Sequence, residues 1–354
     1  MNHFIQSLRK IQLPFLNNML VYVDLGTSQT RIAIADKGVV LREPTYIGFN
    51  KKTHQSIFYG REAKRVMGKV PEFIDIQQPV VNSIIVNFDL AVDLVSFFLK
   101  KSIEPYFGKY QIIKPTLHII TSVPVVASEI EQRALEEVMH KVGAAKVTII
   151  ERAIATTMGC GYNVFLHEPV CIVDMGGGTI EISIISGGGI VQQKTIKNAG
   201  EHMNKLLQNY LYLKHGIMLG ESTVEELKIA LLDFSSDDHV QEVRGKSLET
   251  GLPKSIKVRT SEVKEALQSQ LNQIIDAVKE LIEVAPPEVV DEIYKAGIVL
   301  TGGVAHCPGI DQYLEGELQI PVKKSSRIDT ATIQGLMRIG KRADYRDKLR
   351  VDVP

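Results

Sequence analysis

Short stretches rich in apolar and β-branched residues alternate along most of the chain with longer segments that have helical periodicity. Residues 20–23, 31–34 and 117–120 are short apolar stretches of this kind, and each predicts a strand. A helix is predicted over about residues 129–141. The clearest helix begins near Ser261, where apolar residues recur every three or four positions until two prolines end the pattern. Strands that alternate with helices indicate the α/β class.

One strand–turn–strand segment recurs at long range. Residues 21–40, VYVDLGTSQTRIAIADKGVV, align with residues 171–191, CIVDMGGGTIEISIISGGGIV, with one inserted residue. Asp24 then corresponds to Asp174, about one domain length further along the chain. Two halves that begin with the same unit predict a duplicated fold with a cleft between the halves.

The repeated turn has the composition of a phosphate-binding loop. Glycine lets the backbone approach a ligand closely, and successive backbone N–H groups in such a turn form a nest for phosphate oxygens. An aspartate directly before the turn would repel phosphate, unless it faces Mg²⁺, which prefers oxygen ligands and keeps several waters. A single glycine-rich hairpin is often only a turn. Because the turn occurs twice, we predict that the two turns together hold a triphosphate and its metal.

Composition narrows the class of protein. The chain has 354 residues and a hydrophobic fraction of 44%, which is enough for two domains with a sizeable core. The 41 basic residues balance the 41 acidic ones, so we expect no nucleic-acid partner. Three cysteines without a CxxC motif indicate reduced thiols. No apolar run approaches 18 residues, and no secretory leader is apparent, so a cytoplasmic globular protein is expected.

These motifs resemble those of the actin, heat-shock-chaperone and sugar-kinase superfamily. Residues 24–27, 174–179 and 300–303 look like its phosphate-1, phosphate-2 and adenosine motifs. Within the superfamily, the chain resembles the MreB-type bacterial actins over about residues 19–340, with further similar stretches at 38–44, 131–134, 243–245, 250–254 and 297–303. The resemblance implies an α/β, actin-like duplicated ATPase fold with two lobes and a central nucleotide cleft.

The resemblance also implies a division of the chain into subdomains. We expect an amphipathic leader (1–18), a lobe I core (19–47, 82–160 and 333–354) with a small subdomain (48–81), and a lobe II core (161–197 and 261–332) with a second small subdomain (198–260).

The family motifs, carried over residue by residue, imply a site for ATP and Mg²⁺. The residues expected to bind the nucleotide are Asp24, Gly26, Thr27, Ser28, Gln29, Gly176, Gly177, Gly178, Gly200, Glu201, Glu225, Glu226, Leu227, Lys228, Gly302, Gly303, Val304 and Ala305. Asp24 and Asp174 are expected to hold Mg²⁺ through water, and the expected catalytic residues are Glu131, Asp174 and Thr179. The chain departs from the family pattern at Gln29, Ile180, Glu151-Arg152 and Ala199-Gly200-Glu201.

Two of these assignments have a competing structural explanation. Glu131 fits a carboxylate that orients the attacking water at the γ-phosphate, but Ser128 and Glu131 also match a helix-capping box. Both roles are compatible, because a helix start aimed at the cleft is a natural anion site. The spacing of Glu225 and Lys228 puts both on one helix face, where they either line the nucleoside or form a surface ion pair.

The superfamily includes chaperones, small-molecule kinases and filament-forming proteins, so the fold alone does not decide the function. No substrate-binding domain is expected after the ATPase, and no extra acidic motif for an acceptor is apparent. The expected function is an ATP-binding cytoskeletal protein that polymerises with itself into membrane-associated filaments, organises cell shape and hydrolyses ATP slowly. The alternative is a small-molecule kinase or phosphatase of the same fold.

Two segments predict attachment to the inner face of the cytoplasmic membrane. In the first fourteen residues, Phe4, Ile5, Leu8 and Ile11 share one helical face, and basic residues lie away from it. Tyr106 and Phe107 fall where some members of the family carry an apolar membrane-inserting loop. The alternatives are a disordered leader and aromatic side chains that pack on the protein.

Overall fold

The computed structural model describes residues 18–106, 115–197, 199–235 and 238–352. Its strands are β1 (Asn18–Leu25), β2 (Gln29–Ile34), β3 (Gly38–Pro44), β4 (Ile47–Asn50), β5 (Gln55–Tyr59), β6 (Ile74–Gln77), β7 (Val80–Val81), β8 (Ile84–Ile85), β9 (Thr116–Val123), β10 (Ala144–Glu151), β11 (Val170–Met175), β12 (Thr179–Ser186), β13 (Gly189–Lys197), β14 (Ile217–Met218), β15 (Val240–Ser247), β16 (Pro253–Arg259), β17 (Ile298–Thr301) and β18 (Val322–Lys324).

The α-helices are α1 (Arg61–Val66), α2 (Phe88–Ile103), α3 (Glu129–Lys141), α4 (Arg152–Cys160), α5 (Gly200–His215), α6 (Glu221–Leu231), α7 (Thr260–Glu283), α8 (Pro287–Ala296), α9 (Ile310–Leu318), α10 (Ala331–Gly340) and α11 (Ala343–Leu349). The two sequence-predicted helices are confirmed as α3 and α7. Among the described residues, no helix is both long and apolar enough to cross a membrane.

Two five-stranded sheets share one topology. The first has the order β3-β2-β1-β9-β10 and the second has the order β13-β12-β11-β17-β18. In each sheet the first three strands are antiparallel neighbours, and two parallel strands continue the sheet beside the first of them. Parallel neighbours require a long crossover connection, and helices supply it here. The duplication predicted from the repeated segment is confirmed by this matching strand order.

Apolar helix faces cover the sheets. Helices α2 and α3 pack on the first sheet through Leu94, Phe98 and Met139, all fully buried. Helix α7 carries the predicted apolar stripe, and its Leu267 and Ile274 are fully buried in the core of the second sheet. Burial of such side chains contributes about 1.5–3 kcal/mol each, so these faces fix the helices to their sheets.

Helices α4 and α10 lie between the two sheets and pack closely on one another. They share a third buried cluster with side chains from both sheets, including Tyr22 and Ile172. The close approach depends on glycine. A Cβ atom at Gly159 would lie 1.7 Å from the Ala331 carbonyl oxygen, and one at Gly335 would lie 1.6 Å from that of Ala155.

Two three-stranded sheets, smaller than these, are attached to the larger ones. The sheet β5-β4-β6 packs with α1, and the sheet β14-β15-β16 packs with α6 and α7. They fall within the predicted small subdomains 48–81 and 198–260, apart from the first residue of β4. The subdomain boundaries themselves stay predictions.

Candidate nucleotide cleft

A cavity of about 410 Å³ lies where the two hairpin turns face each other. Most residues predicted to bind nucleotide line it: Asp24, Gly26, Thr27, Ser28, Gln29, Gly176, Gly177, Gly178, Gly200, Glu201, Glu225, Lys228, Gly302, Gly303 and Val304. Asp174 and Thr179 line it as well. Leu227 and Ala305 instead belong to the hydrophobic core, and Glu226 is exposed outside the cavity lining.

The two turns have the same backbone geometry. The Gly26 N–H donates to the Gln29 carbonyl at 3.2 Å, and the Gly176 N–H donates to the Thr179 carbonyl at 2.9 Å. A Cβ atom at either glycine would lie within 3 Å of that carbonyl oxygen. Each turn therefore needs glycine at its first position, which explains why the Asp-x-Gly pattern repeats.

The turns also touch each other. A Cβ atom at Gly177 would lie 1.9 Å from Ser28 Oγ, and one at Gly178 would lie 2.3 Å from Thr27 Oγ1. The second turn therefore presents bare backbone to the hydroxyl groups of the first turn. Backbone N–H groups and hydroxyls in one small space form a chemically suitable nest for phosphate oxygens.

Buried carboxylates and guanidinium groups lie close together beside the cleft. Asp24 is buried and forms an ion pair with Arg31 at 3.2 Å. Burial raises the pKa of Asp174 to about 6, and the Arg152 charge opposes that shift. Glu181 faces Asp174 in the strand register, and burial, with a smaller contribution from the Asp174 charge, raises its pKa to about 7. Neither carboxylate oxygen of Glu181 has a hydrogen-bond partner of normal geometry among the described residues.

The carboxylates of the cleft suit an Mg²⁺ ion that is bound through water molecules. They do not suit a site in which protein side chains supply every ligand. Among the described residues, no group of three or more His, Cys, Asp or Glu side chains is arranged to hold a metal. Asp174 is half-buried and lines the cavity. Mg²⁺ in nucleotide sites is typically held by one or two carboxylates, waters and phosphates, and Asp174 with Asp24 meets that requirement.

Ser83, which the sequence analysis did not select, lies between the two turns. Its N–H donates to Thr27 Oγ1 at 2.8 Å, and its Oγ lies 3.2 Å from Thr179 Oγ1. Ser83 and Asn82 have φ values of 62° and 50°, in the left-handed region. The sequence signal was the Asn-Ser pair between the apolar pairs Val80-Val81 and Ile84-Ile85, which is typical of a two-residue hairpin turn.

Arg152 lines the cleft as well. The sequence had identified it only as a departure from the family pattern, and not as a site residue. One of its terminal nitrogens, Nη1, donates to Ser83 Oγ at 2.9 Å. A hydrogen bond therefore connects the start of helix α4 with the residue that joins the two turns.

Side chains connect the two halves across the cleft. Ser28 Oγ and Gln78 Nε2 donate to Glu201 Oε1 at 2.8 and 2.7 Å. Arg42 and His306 both contact the Asp329 carboxylate, at 3.2 and 2.7 Å. Gln78, His306 and Asp329 lie outside the motifs recognised in the sequence, and Arg42 lies in the similar stretch 38–44 but was not assigned to the site.

Glu225 and Lys228 both line the cavity, but they do not pair with each other. Glu225 forms an ion pair with Lys64 at 2.6 Å. Lys228 is buried, and its ammonium donates to the Gly200 carbonyl at 2.7 Å. Burial lowers the pKa of Lys228, and nearby carboxylates oppose the shift. The structure therefore does not show the surface ion pair that the sequence spacing allowed.

Glu131 forms the predicted capping box. Its carboxylate accepts from the Ser128 N–H at 2.7 Å, and its own N–H donates to Ser128 Oγ at 3.4 Å. Glu131 lines a small second cavity, which shares Ser83 with the lining of the cleft. The capping role is confirmed, and the catalytic role of Glu131 stays a prediction.

The predicted membrane residues lie mostly outside the described part of the chain. Phe4, Ile5, Leu8, Ile11 and Phe107 are among the residues that the structure does not describe. Tyr106 ends a short 3₁₀ turn after α2, is 42% exposed, and has the Lys37 ammonium 5.6 Å from its ring centroid.

Two sheets of matching topology, with paired glycine turns that face one cavity, define an actin-like, two-lobed ATPase fold. The chain belongs to the MreB/Mbl protein family, whose model matches residues 18–348.

Curated relatives and solved structures agree with this assignment. The cell shape-determining protein Mbl of Bacillus subtilis is 32% identical over 85% of this chain and 89% of its own length. The cell shape-determining protein MreB of Escherichia coli is 32% identical over 89% of this chain and 90% of its own length. The structure of MreB5 of Spiroplasma citri bound to ADP is 29% identical, with a TM-score of 0.87 over 93% of this chain and 98% of that one.

Proposed function

We propose that this protein binds ATP with Mg²⁺ in the cleft and polymerises into filaments that attach to a membrane and organise cell shape. The observation that carries the proposal is the pair of glycine turns that face each other across the cavity. The relatives support it, since MreB5 of Spiroplasma citri is described in complexes with ADP and AMPPNP. The curated relatives are named cell shape-determining proteins, which does not favour a small-molecule kinase.

Different residues of the cleft would bind the phosphates, the Mg²⁺ ion and the nucleoside. The backbone of Gly176, Gly177 and Gly178, with the hydroxyl groups of Thr27 and Thr179, would bind phosphate oxygens. Asp24 and Asp174 would hold the waters of Mg²⁺, which neutralises phosphate charge when it is bound. Glu225 and Lys228 line the cavity and would lie along ribose and adenine, as the resemblance to the family implies.

Hydrolysis in this arrangement would be slow and would depend on positioning. Phosphoryl transfer relies mainly on placement and on electrostatic stabilisation by groups around the phosphate. Glu131 would orient the attacking water from the start of α3. Its carboxylate is held by Ser128 in the structure, so a water would compete with the capping hydrogen bonds.

Polymerisation follows from a contact between unlike surfaces of neighbouring copies. Such a head-to-tail contact produces a filament when it does not close into a ring. A nucleotide that bridges the two halves of one copy favours one relative arrangement of the halves. That arrangement in turn changes the strength of the head-to-tail contact between copies. Mg-ATP should therefore make the purified protein sediment, and filaments should appear in negative-stain micrographs. Protein that binds ATP but stays in the supernatant at all concentrations tested would contradict the filament proposal.

Membrane attachment is proposed from the sequence and supported by the exposure of Tyr106. A short basic amphipathic helix lies in the headgroup region, where buried apolar area and anionic lipids both contribute to binding. Each anchor alone is weak, and a filament multiplies weak anchors through avidity.

A further inference from the structure

The guanidinium of Arg152 is buried at the base of the cleft, and its donors are only partly used. Arg152 is 7% exposed and lines the cavity. Nη1 donates to Ser83 Oγ at 2.9 Å, and Nη2 donates weakly to the Leu25 carbonyl at 3.4 Å. Its Nε has no partner in the described part of the chain. A guanidinium has five N–H donors, and these two hydrogen bonds use only two of them.

The charges around Arg152 come from four neighbouring strands. Asp24 and Arg31, on β1 and β2, are paired with each other. Asp174 and Glu181, on β11 and β12, face one another, and the Arg152 charge lowers the pKa of both. Among the described residues, no carboxylate lies within 4 Å of the Arg152 side-chain nitrogens. Arg152 therefore stabilises the charged forms of the two carboxylates at longer range and forms a direct ion pair with neither.

A buried charge with unsatisfied donors is unfavourable unless a partner compensates it. The guanidinium is planar, and two of its N–H groups can donate parallel hydrogen bonds to two oxygens of one phosphate. Its position connects it to both turns, since its partner Ser83 contacts Thr27 in the first turn and Thr179 in the second. The nucleotide phosphates are the anions that this location would receive.

We propose that Arg152 binds the phosphate chain of the nucleotide and acts as a built-in cation there, so that nucleotide binding depends less on Mg²⁺. The inference rests on the proposed nucleotide-binding function. Arg152 is also a departure of this chain from the family pattern, so the property is expected of this chain in particular.

The first test uses the unmodified protein. The Kd of a fluorescent ATP analogue is measured with excess Mg²⁺ and then with excess EDTA. We expect removal of the divalent ion to weaken binding by less than about tenfold, because the guanidinium remains at the phosphates. A loss of about a hundredfold or more would overturn the inference and leave nucleotide binding itself established. Absence of binding in both conditions would instead reject the proposed function.

The second test compares Arg152→Gln, which removes the charge, with Arg152→Lys, which keeps it. We expect Arg152→Gln to weaken binding roughly ten- to a hundredfold in EDTA, the range for a lost charged hydrogen bond, and to weaken it less in Mg²⁺. Arg152→Lys should restore most of the affinity in EDTA. The matched control is Arg65→Gln, on the exposed surface of α1, which should leave both values unchanged.

A purely structural Arg152 predicts another pattern. Arg152→Gln would then lower the melting temperature without changing the ratio of the Kd values in EDTA and Mg²⁺, and this result would overturn the inference. If Arg152→Gln does not fold, the EDTA measurement on the unmodified protein and on Arg152→Lys decides the question. An Arg152→Lys variant that loses as much affinity in Mg²⁺ as in EDTA would also overturn it.

Discussion

Lys64 and Glu225 form an ion pair with a nitrogen–oxygen distance of 2.6 Å, and both side chains are partly exposed, by 27% and 31%. Lys64 lies on α1, which packs on the sheet β5-β4-β6, and Glu225 lies on α6, which packs on the sheet β14-β15-β16. The Lys64 ammonium also lies 5.8 Å from the ring centroid of Tyr46. Because Glu225 lines the cavity, this contact connects the two smaller sheets beside the cleft.

The first prediction is that breaking this pair speeds nucleotide release. Lys64→Met should raise the dissociation rate of a fluorescent nucleotide by roughly two- to fivefold, the effect of a partly exposed ion pair. Stopped-flow displacement with unlabelled ATP measures this rate. Lys51→Met is the matched control, since it breaks the exposed Lys51–Asp75 pair of the same small sheet, outside the cavity lining. Equal rates in the two variants would show that the Lys64 pair does not restrain the cleft.

The second prediction concerns Asp174. Asp174→Asn keeps the shape of the side chain and removes the charge proposed to hold the Mg²⁺ waters, so the affinity for Mg-ATP should fall, by no more than the roughly tenfold expected for removal of Mg²⁺ itself. Thermal stability without nucleotide should be unchanged or higher, because burial makes the Asp174 charge unfavourable and the lost attraction to Arg152 offsets that gain only in part. Isothermal titration calorimetry and thermal unfolding measure the two effects. Asp276→Asn, on the exposed face of α7, is the control. Unchanged Mg-ATP affinity in Asp174→Asn would remove this residue from the site.

The third prediction concerns the crossing of α4 and α10. Gly159→Ala places a methyl group where a backbone carbonyl lies 1.7 Å away, so it should lower the free energy of unfolding by about 1–3 kcal/mol or more. Gly316→Ala is the control, because Gly316 lies in α9 with open space around its Cα. That change should be neutral or stabilise by up to about 1 kcal/mol, the difference in helix propensity. Urea unfolding that gives the same free energy for both variants would show that the crossing tolerates a side chain.

The sequence predicted those parts of the site whose residues are neighbours along the chain. Asp24 with Gly26 and Asp174 with Gly176 are recognisable because aspartate and glycine occur at fixed spacing within one hairpin. The matching sheets follow from the same repeat. Ser128 and Glu131 were predictable as a capping box for the same reason, since both partners lie within one helical turn.

The contacts that cross the cleft could not be predicted in this way. Gln78 and Glu201 are 123 residues apart, and Arg42 and Asp329 are 287 residues apart, so no local pattern joins them. Leu227 shows that a shared motif does not mean a shared environment. It lies in a family motif beside Lys228, but helical geometry turns it into the core while Lys228 faces the cavity.

The fourth prediction concerns membrane attachment. Deletion of residues 2–16 should abolish or sharply weaken co-flotation with anionic liposomes, because apolar area and two basic residues are lost together. Tyr106→Ser combined with Phe107→Ser should weaken it further. Tyr212→Ser is a matched control, since Tyr212 is 43% exposed and Tyr106 is 42% exposed. Full-length filaments that ignore anionic liposomes at low salt would refute membrane attachment and leave the ATP-dependent polymer intact.

The fifth prediction separates the two roles of Glu131. Glutamine at this position can still accept from the Ser128 N–H and complete the capping box, but it lacks the carboxylate charge that would orient a water. Glu131→Gln should therefore keep the melting temperature while phosphate release falls by roughly ten- to ten-thousandfold. Glu131→Ala should lose both, with a stability cost of about 0.5–2 kcal/mol for the missing cap. Nucleotide affinity should change little in either variant. If Glu131→Gln releases phosphate at the unmodified rate per folded molecule, capping is the whole role of this residue, and the attacking water is positioned by another group in the cleft.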